Sequence, residues 1–223
     1  MIPEKLIMNP RELLYLPNLF SLSRVVLAPL ICYLLARTEN WATVAAVGLV
    51  IVAAITDALD GYLARKMGLV TPLGIALDPI ADKAFAVILV VGLILFRDFP
   101  WWLAAMVIGR DLLLLVGGAL LIRGHRNLTL PSNLTGKWAF AALAVLLGAH
   151  IIRFDFSISL MTPIVTILWV ASLVVYARNF ARLWRGETVI PFKDRASLKL
   201  ARISLCVVVA VAHFWMFWAE FLR

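Results

Sequence analysis

Long apolar stretches recur along the chain, each closed by a charged residue, a proline or a tryptophan. They run over Leu19–Ala36, Trp41–Leu59, Ile80–Phe96, Trp101–Ile122, Trp138–Ile152, Leu160–Ala177 and Leu200–Leu222. A helix that crosses a bilayer needs roughly 20 such residues. The pattern therefore predicts seven spanning helices, the fifth short enough to draw on its flanks. Trp41, Trp101, Trp102 and Trp138 stand at span ends, as an interfacial aromatic belt requires. No stretch alternates apolar and polar residues as a barrel strand must. Residues 1–18 set Leu6, Ile7, Leu13, Leu14 and Leu16 among charges. They predict a cytoplasmic amphipathic segment lying on the membrane, with a plain polar leader as the alternative. Glu4, Lys5, Arg11 and Glu12 argue against a cleaved signal peptide.

Composition narrows the class. Of 223 residues, 63% are hydrophobic and only 15% charged, and the mean hydropathy is +0.96. Too little polar surface exists to coat a water-soluble particle, and disorder is excluded by the same figures. Cys32 and Cys206 lie inside apolar runs and read as packing residues, not a disulfide framework. The net charge of +8 is topological. Most of the 21 Lys and Arg, among them Lys5, Lys66, Arg123, Lys137, Arg182 and Lys199, fall on one side of the predicted spans. Arg37, Arg97, Arg153 and Arg223 fall on the other. The richer side is predicted cytoplasmic, placing the N-terminus inside and, after a seventh span, the C-terminus outside. A bacterial inner membrane suits this layout. The basic excess suits anionic lipid; no nucleic-acid partner is expected.

The acids carry more information. Asp57, Asp60, Asp78 and Asp82 fall within 26 residues, in or beside apolar helices. A mid-span Asp costs about 2.5–3.5 kcal/mol on the insertion scale. One such residue is explained by a cap or an ion pair; four together call for a function. Asp57 and Asp60 are i and i+3, Asp78 and Asp82 i and i+4, so each pair shares a helix face. A cytoplasmic loop from Gly61 to Pro79 predicts that the second and third spans are antiparallel neighbours, with both pairs at one depth. Four converging carboxylates need cations to stay ionised. Oxygen donors of this kind suit Mg²⁺ or Mn²⁺, and two divalent ions would balance them. Gly61, Ala64 and Gly74 leave room for a ligand or for close helix packing.

Written out, the run is Asp57-x2-Asp60-Gly61-x2-Ala64-Arg65-x8-Gly74-x3-Asp78-x3-Asp82. It resembles the signature of the CDP-alcohol phosphatidyltransferases, with every fixed position filled. The resemblance extends to Pro17-Asn18 and Arg24 at the entry to the first span, and covers roughly residues 15–185. It implies an all-α polytopic membrane fold of six helices; Leu200–Leu222 would be an addition. It implies that a phosphatidyl group moves from CDP-diacylglycerol to an alcohol with release of CMP. It further implies Asp57, Asp60, Asp78 and Asp82 as metal ligands and Asp82 as general base. Gly61, Ala64, Arg65 and Gly74, with Asp57, Asp60 and Asp78, would hold the CDP moiety. A homodimer is implied as well.

The acceptor is carried by fewer residues. Arg24, Arg110, Lys137 and Arg178 are the candidates for an acidic acceptor. For Arg110 a structural pair with Asp111 is the alternative, and for Arg178 ordinary positive flanking. The chain looks most like the glycerol-type branch of the family. Glycerol-3-phosphate is the expected acceptor; phosphatidylglycerol, giving cardiolipin, is the first alternative, and inositol phosphate a further one. A cation transporter would need acids spread through the bilayer depth, whereas these cluster at one interface. His125, His150 and His213 show no metal-ligand spacing. The expected organisation is an amphipathic segment over 1–18, a catalytic membrane domain over 19–185, and a basic linker with an extra spanning helix over 186–223.

Overall fold

The computed structural model describes residues 15–67, 71–123, 133–187, 189 and 196–221. The expectations for residues 1–14 and for His125 lie outside them. Among the described residues seven helices form: α1 (Leu16–Leu35), α2 (Asn40–Met67), α3 (Pro72–Phe96), α4 (Trp101–Arg123), α5 (Leu134–Ile151), α6 (Asp155–Trp184) and α7 (Ala196–Phe221). No strand occurs among the described residues. Helices α1 to α6 are long and apolar enough to cross a membrane, with mean hydropathies of 1.5 to 2.2 over their candidate spans. Their exposed side chains are largely Leu, Ile, Val, Phe and Trp. A surface of that kind is stable against lipid, not water. The chain is an integral membrane protein with an all-α fold.

Two boundaries differ from the hydropathy pattern, for one reason. Helix α2 runs past Leu59 to Met67, and α3 begins at Pro72. The expected loop from Gly61 to Pro79 is therefore mostly helix. Hydropathy falls at the charges, but the backbone bonds that define a helix do not depend on side-chain polarity. The true start of α3 is set by Thr71, whose Oγ1 accepts from the Gly74 amide at 3.0 Å, and by Pro72 in the first turn. Pro79 sits inside the helix, a position membrane helices tolerate. Asp78 and Asp82 thus belong to a continuous helix. Helix α6, at 30 residues, is about 45 Å long and takes in Arg178, which the pattern had placed beyond a span. Its end is closed by Gly186 at φ 86°, where the Glu187 amide bonds back to the Arg182 carbonyl at 3.0 Å.

The helices fall into two compact units, α1–α3 and α4–α7, divided after Asp98. In the first, α1 packs against both α2 and α3. The acidic faces of α2 and α3 meet, as expected, at one depth, and α1 lies between them: one nitrogen of its Arg24 pairs with Asp57 of α2 and Asp82 of α3. The α1–α3 seam is close because Ala28, Ala81 and Gly92 are small and buried. Cys32 packs beside Gly92 and donates to the Ile88 carbonyl at 3.2 Å. Arg97 is buried: its Nη2 donates to the Thr43 hydroxyl at 3.2 Å and lies 3.4 Å from the Arg37 carbonyl. It fastens the end of α3 to the start of α2. In the second unit α5 packs on α6, α7 on α5, and α4 on α6. Its core holds Leu103, Leu121, Leu143, Leu146, Val165 and the fully buried Trp169.

Candidate functional site

Each helix of the first unit contributes to one polar cluster. On α1, Ser21 and Arg24 are three residues apart and face the same way. Arg24 is 4% exposed. Its Nη2 binds Asp60 Oδ2 at 2.6 Å, and its Nη1 pairs with both Asp57 and Asp82. Ser21 Oγ donates to Asp78 Oδ1 at 2.5 Å and lies 3.3 Å from Asp60 Oδ2. The four aspartates anticipated from their spacing are thus gathered, two from α2 and two from α3, by a pair of α1 side chains. Arg24 and Asp60 form a buried floor. Asp57 and Asp82, with side chains 54% and 50% exposed, form an open rim.

The electrostatics follow from the count of charges. Among the described residues one guanidinium, paired with Asp57, Asp60 and Asp82, stands in a cluster of four carboxylates, so these groups sum to negative charge when all are ionised. Among the described residues no three His, Cys, Asp or Glu side chains stand in a metal-holding arrangement, the carboxylates being turned onto Arg24 and Ser21. The donor chemistry nonetheless fits a divalent ion: the ligands are all carboxylate oxygen, the sum of charges is negative, and two of the groups face outward.

Gly74 has a visible structural reason. A Cβ at that position would stand 2.6 Å from Asn18 Oδ1 and 3.2 Å from Thr71 Oγ1. Asn18, 3% exposed, fills that space. The first turn of α3 therefore rests on the first turn of α1, one helical turn before Asp78. Gly61, Ala64 and Arg65 continue α2 beyond Asp60; their side chains lie outside the described residues.

The remaining basic candidates belong to the second unit. Arg110 is 3% exposed. Its guanidinium carbon lies 4.9, 4.9 and 5.1 Å from the ring centres of Phe140, Trp169 and Tyr176. Its Nη1 is 3.5 Å from Asp111, and its Nε is buried without a hydrogen-bond partner. It also lines a cavity of about 310 Å³ whose other walls are mostly apolar, with Leu113, Gly117, Leu120, Leu173 and Phe180 among them. Lys137 is half-buried in the first turn of α5, and Arg178 is exposed on α6. Arg24 belongs to the acidic cluster of the first unit. Asn18 entered the sequence reading only through the Pro17-Asn18 resemblance, and Ser21, Asn133 and Ser172 were not singled out by it. The available signal was their polarity at or near the ends of apolar runs, and for Ser21 its spacing from Arg24.

Apolar helices long enough to span a membrane, three of which gather four carboxylates at one end of the first unit, define a membrane protein with a site for cationic or phosphate-metal chemistry. Comparison with known proteins makes the class specific: residues 14–176 match the CDP-alcohol phosphatidyltransferase family, and the chain belongs to it. It is accordingly a transferase, of a family whose members use divalent metal ions and act on a CDP-linked lipid and an alcohol. The chain is 34% identical over 198 residues to a cardiolipin synthase (CMP-forming) of Oryza sativa, covering 79% of this chain and 59% of that protein. It is 34% identical over 164 residues to a CDP-diacylglycerol–glycerol-3-phosphate 3-phosphatidyltransferase of Aquifex aeolicus, covering 71% and 88%. A probable phosphatidylglycerophosphate synthase of Mycobacterium tuberculosis is 32% identical over 171 residues, with 73% of each chain covered.

Proposed function

We propose that this protein transfers the phosphatidyl group of CDP-diacylglycerol to glycerol-3-phosphate, forming phosphatidylglycerophosphate and CMP. The observation that carries the reading is the gathering of Asp57, Asp60, Asp78 and Asp82 around Arg24 and Ser21, in a chain of this family. The names of the Aquifex aeolicus and Mycobacterium tuberculosis relatives support the acceptor.

In this reading the four aspartates hold two divalent ions, Mg²⁺ or Mn²⁺, which offset negative charge on the diphosphate when bound. Asp82, on the open rim, takes the proton from the acceptor hydroxyl. The freed oxygen forms a bond to the phosphorus bearing diacylglycerol, the bond from that phosphorus to the CMP oxygen breaks, and CMP leaves with the electron pair. Gly61, Ala64, Arg65 and Gly74 border the CDP moiety. Arg24 keeps the carboxylates together between turnovers. In the second unit, Arg110, Lys137 and Arg178 are the candidates to receive the acceptor's phosphate. A buried guanidinium that has, among the described residues, one carboxylate at 3.5 Å and an Nε without a hydrogen-bond partner favours an anion.

A second reading, cardiolipin synthesis from phosphatidylglycerol, is favoured by the mostly apolar cavity beside Arg110. Such walls suit an acceptor that brings acyl chains. The name of the rice relative supports it too. The lysine and arginine asymmetry supports a cytoplasmic N-terminus and active site, in a bacterial inner membrane. The catalytic domain spans residues 19–185, and the protein acts as a homodimer. The test is purified protein in micelles with CDP-diacylglycerol, Mg²⁺ or Mn²⁺, and a panel of glycerol-3-phosphate, phosphatidylglycerol and inositol phosphate, with products separated by mass. Phosphatidylglycerophosphate as the main product supports the first reading; cardiolipin replaces it with the second.

A further inference from the structure

We propose that Asn133 is a positioning residue for the acceptor: it locks the first turn of α5 to α6 and thereby fixes where Arg110 presents its charge. The inference rests on the reading of Arg110 as a ligand for the acceptor's phosphate.

Asn133 does more than cap a helix. Its Oδ1 accepts from the Gly136 amide at 2.5 Å, as an N-cap does, and from the Thr135 hydroxyl at 3.0 Å. Any Ser, Thr or Asp would serve that purpose. Its Nδ2, which those residues lack, lies 3.4 Å from the backbone carbonyl of Ser172 on α6, and Ser172 Oγ lies 3.5 Å from its Oδ1. The side chain is 7% exposed, so both halves of the amide are used away from solvent.

The lock lies at the point where α4, α5 and α6 meet. A Cβ on Gly136 would stand 2.7 Å from Asn133 Oδ1, 2.9 Å from Arg110 Nη2 and 3.1 Å from Ser172 Oγ. No room exists there for a methyl group, and Arg110 Nη2 rests directly on the α5 backbone. The aromatic box shares this register. Phe140 follows Gly136 by one turn of α5; Trp169 and Tyr176 flank Ser172 by three and four residues on α6. Rings contributed by two helices orient the guanidinium only if those helices keep their register. Apolar contact resists sliding weakly; the Asn133–Ser172 contact, reaching a backbone atom, resists it directly.

The test compares Asn133→Ser with Arg110→Gln and wild type. Serine keeps the cap and removes the link to Ser172. CMP release is measured against CDP-diacylglycerol with glycerol-3-phosphate and, in parallel, with phosphatidylglycerol. Asn133→Ser is expected to raise KM for the acceptor by about tenfold, ~1.4 kcal/mol, with KM for CDP-diacylglycerol and the melting temperature held near wild type. Ser172→Ala retains the carbonyl and is expected to leave the acceptor KM near wild type. Should Asn133→Ser not survive purification, Asn133→Thr, which likewise keeps the cap and lacks the Nδ2 donor, carries the same test with the same expected outcome. If Arg110→Gln raises the acceptor KM while Asn133→Ser does not, or raises both substrates' KM together, the positioning role is wrong and the reading of Arg110 stands. If Arg110→Gln leaves the acceptor KM unchanged, that reading fails, and this inference fails with it.

Discussion

Replacing Arg24 with methionine removes the guanidinium from the acidic cluster while keeping much of its aliphatic bulk. Three carboxylates then lose their shared partner, and they do not lose it equally. Asp60 is buried, its side chain 7% exposed, and faces Arg24 across 2.6 Å. Breaking one partner from a buried pair costs about 3–5 kcal/mol, because the charge left behind is not solvated. Asp57 and Asp82 are half in solvent, at 54% and 50%, so each adds at most ~1 kcal/mol. The Asp60 contribution alone, about 3–5 kcal/mol, lowers the melting temperature of a chain of this length by roughly 6–20 °C. The assay is thermal unfolding in detergent, with EDTA and then with Mg²⁺ or Mn²⁺. The variant is expected to melt far below wild type in EDTA and to recover more than wild type does when the divalent ion is added, because the ion replaces the missing positive charge. Equal melting of variant and wild type in EDTA, or no larger gain from the metal, would refute the view that Arg24 compensates a metal-competent carboxylate cluster.

Other consequences are more local. Gly74→Ala places a methyl 2.6 Å from Asn18 Oδ1; overpacking of this kind costs about 1–3 kcal/mol, and pairing it with Asn18→Ala should recover part of the lost thermal stability and CMP release. Gly186→Ala forces a Cβ into a left-handed backbone at φ 86°, which should cost about 1–2 kcal/mol in an unfolding assay while leaving KM values unchanged.

The acidic site was legible because carboxylates are rare in spans and because i+3 and i+4 spacing fixes a shared face whatever the tertiary fold. How the two faces meet was not legible. Hydropathy marks which segments are apolar but not which helices touch, so the bridging position of α1, with Ser21 and Arg24, escaped it. The starts and ends of helices were misplaced wherever charge and backbone structure part company. Helix α2 stays helical through Arg65 and Lys66, and α3 starts at Thr71 and Pro72, ahead of the apolar run. Arg110 was recognised as a charge inside a span, yet its surroundings come from Phe140, Trp169 and Tyr176 on two later helices. Asn133 drew no notice in sequence: its cap on α5 shows only in the structure, and its contact to Ser172 is tertiary.

The central claim, that the four aspartates form a metal-dependent phosphatidyl-transfer site with Asp82 as its base, is tested most directly by CMP release from CDP-diacylglycerol and glycerol-3-phosphate. Wild type and Asp82→Asn are compared in micelles with Mg²⁺ or Mn²⁺ and again after chelation. The account predicts divalent-dependent CMP release by wild type, lowered by a factor of about 10²–10⁴ in Asp82→Asn with the melting temperature little changed. Undiminished CMP release by Asp82→Asn, or by wild type after chelation, would contradict it.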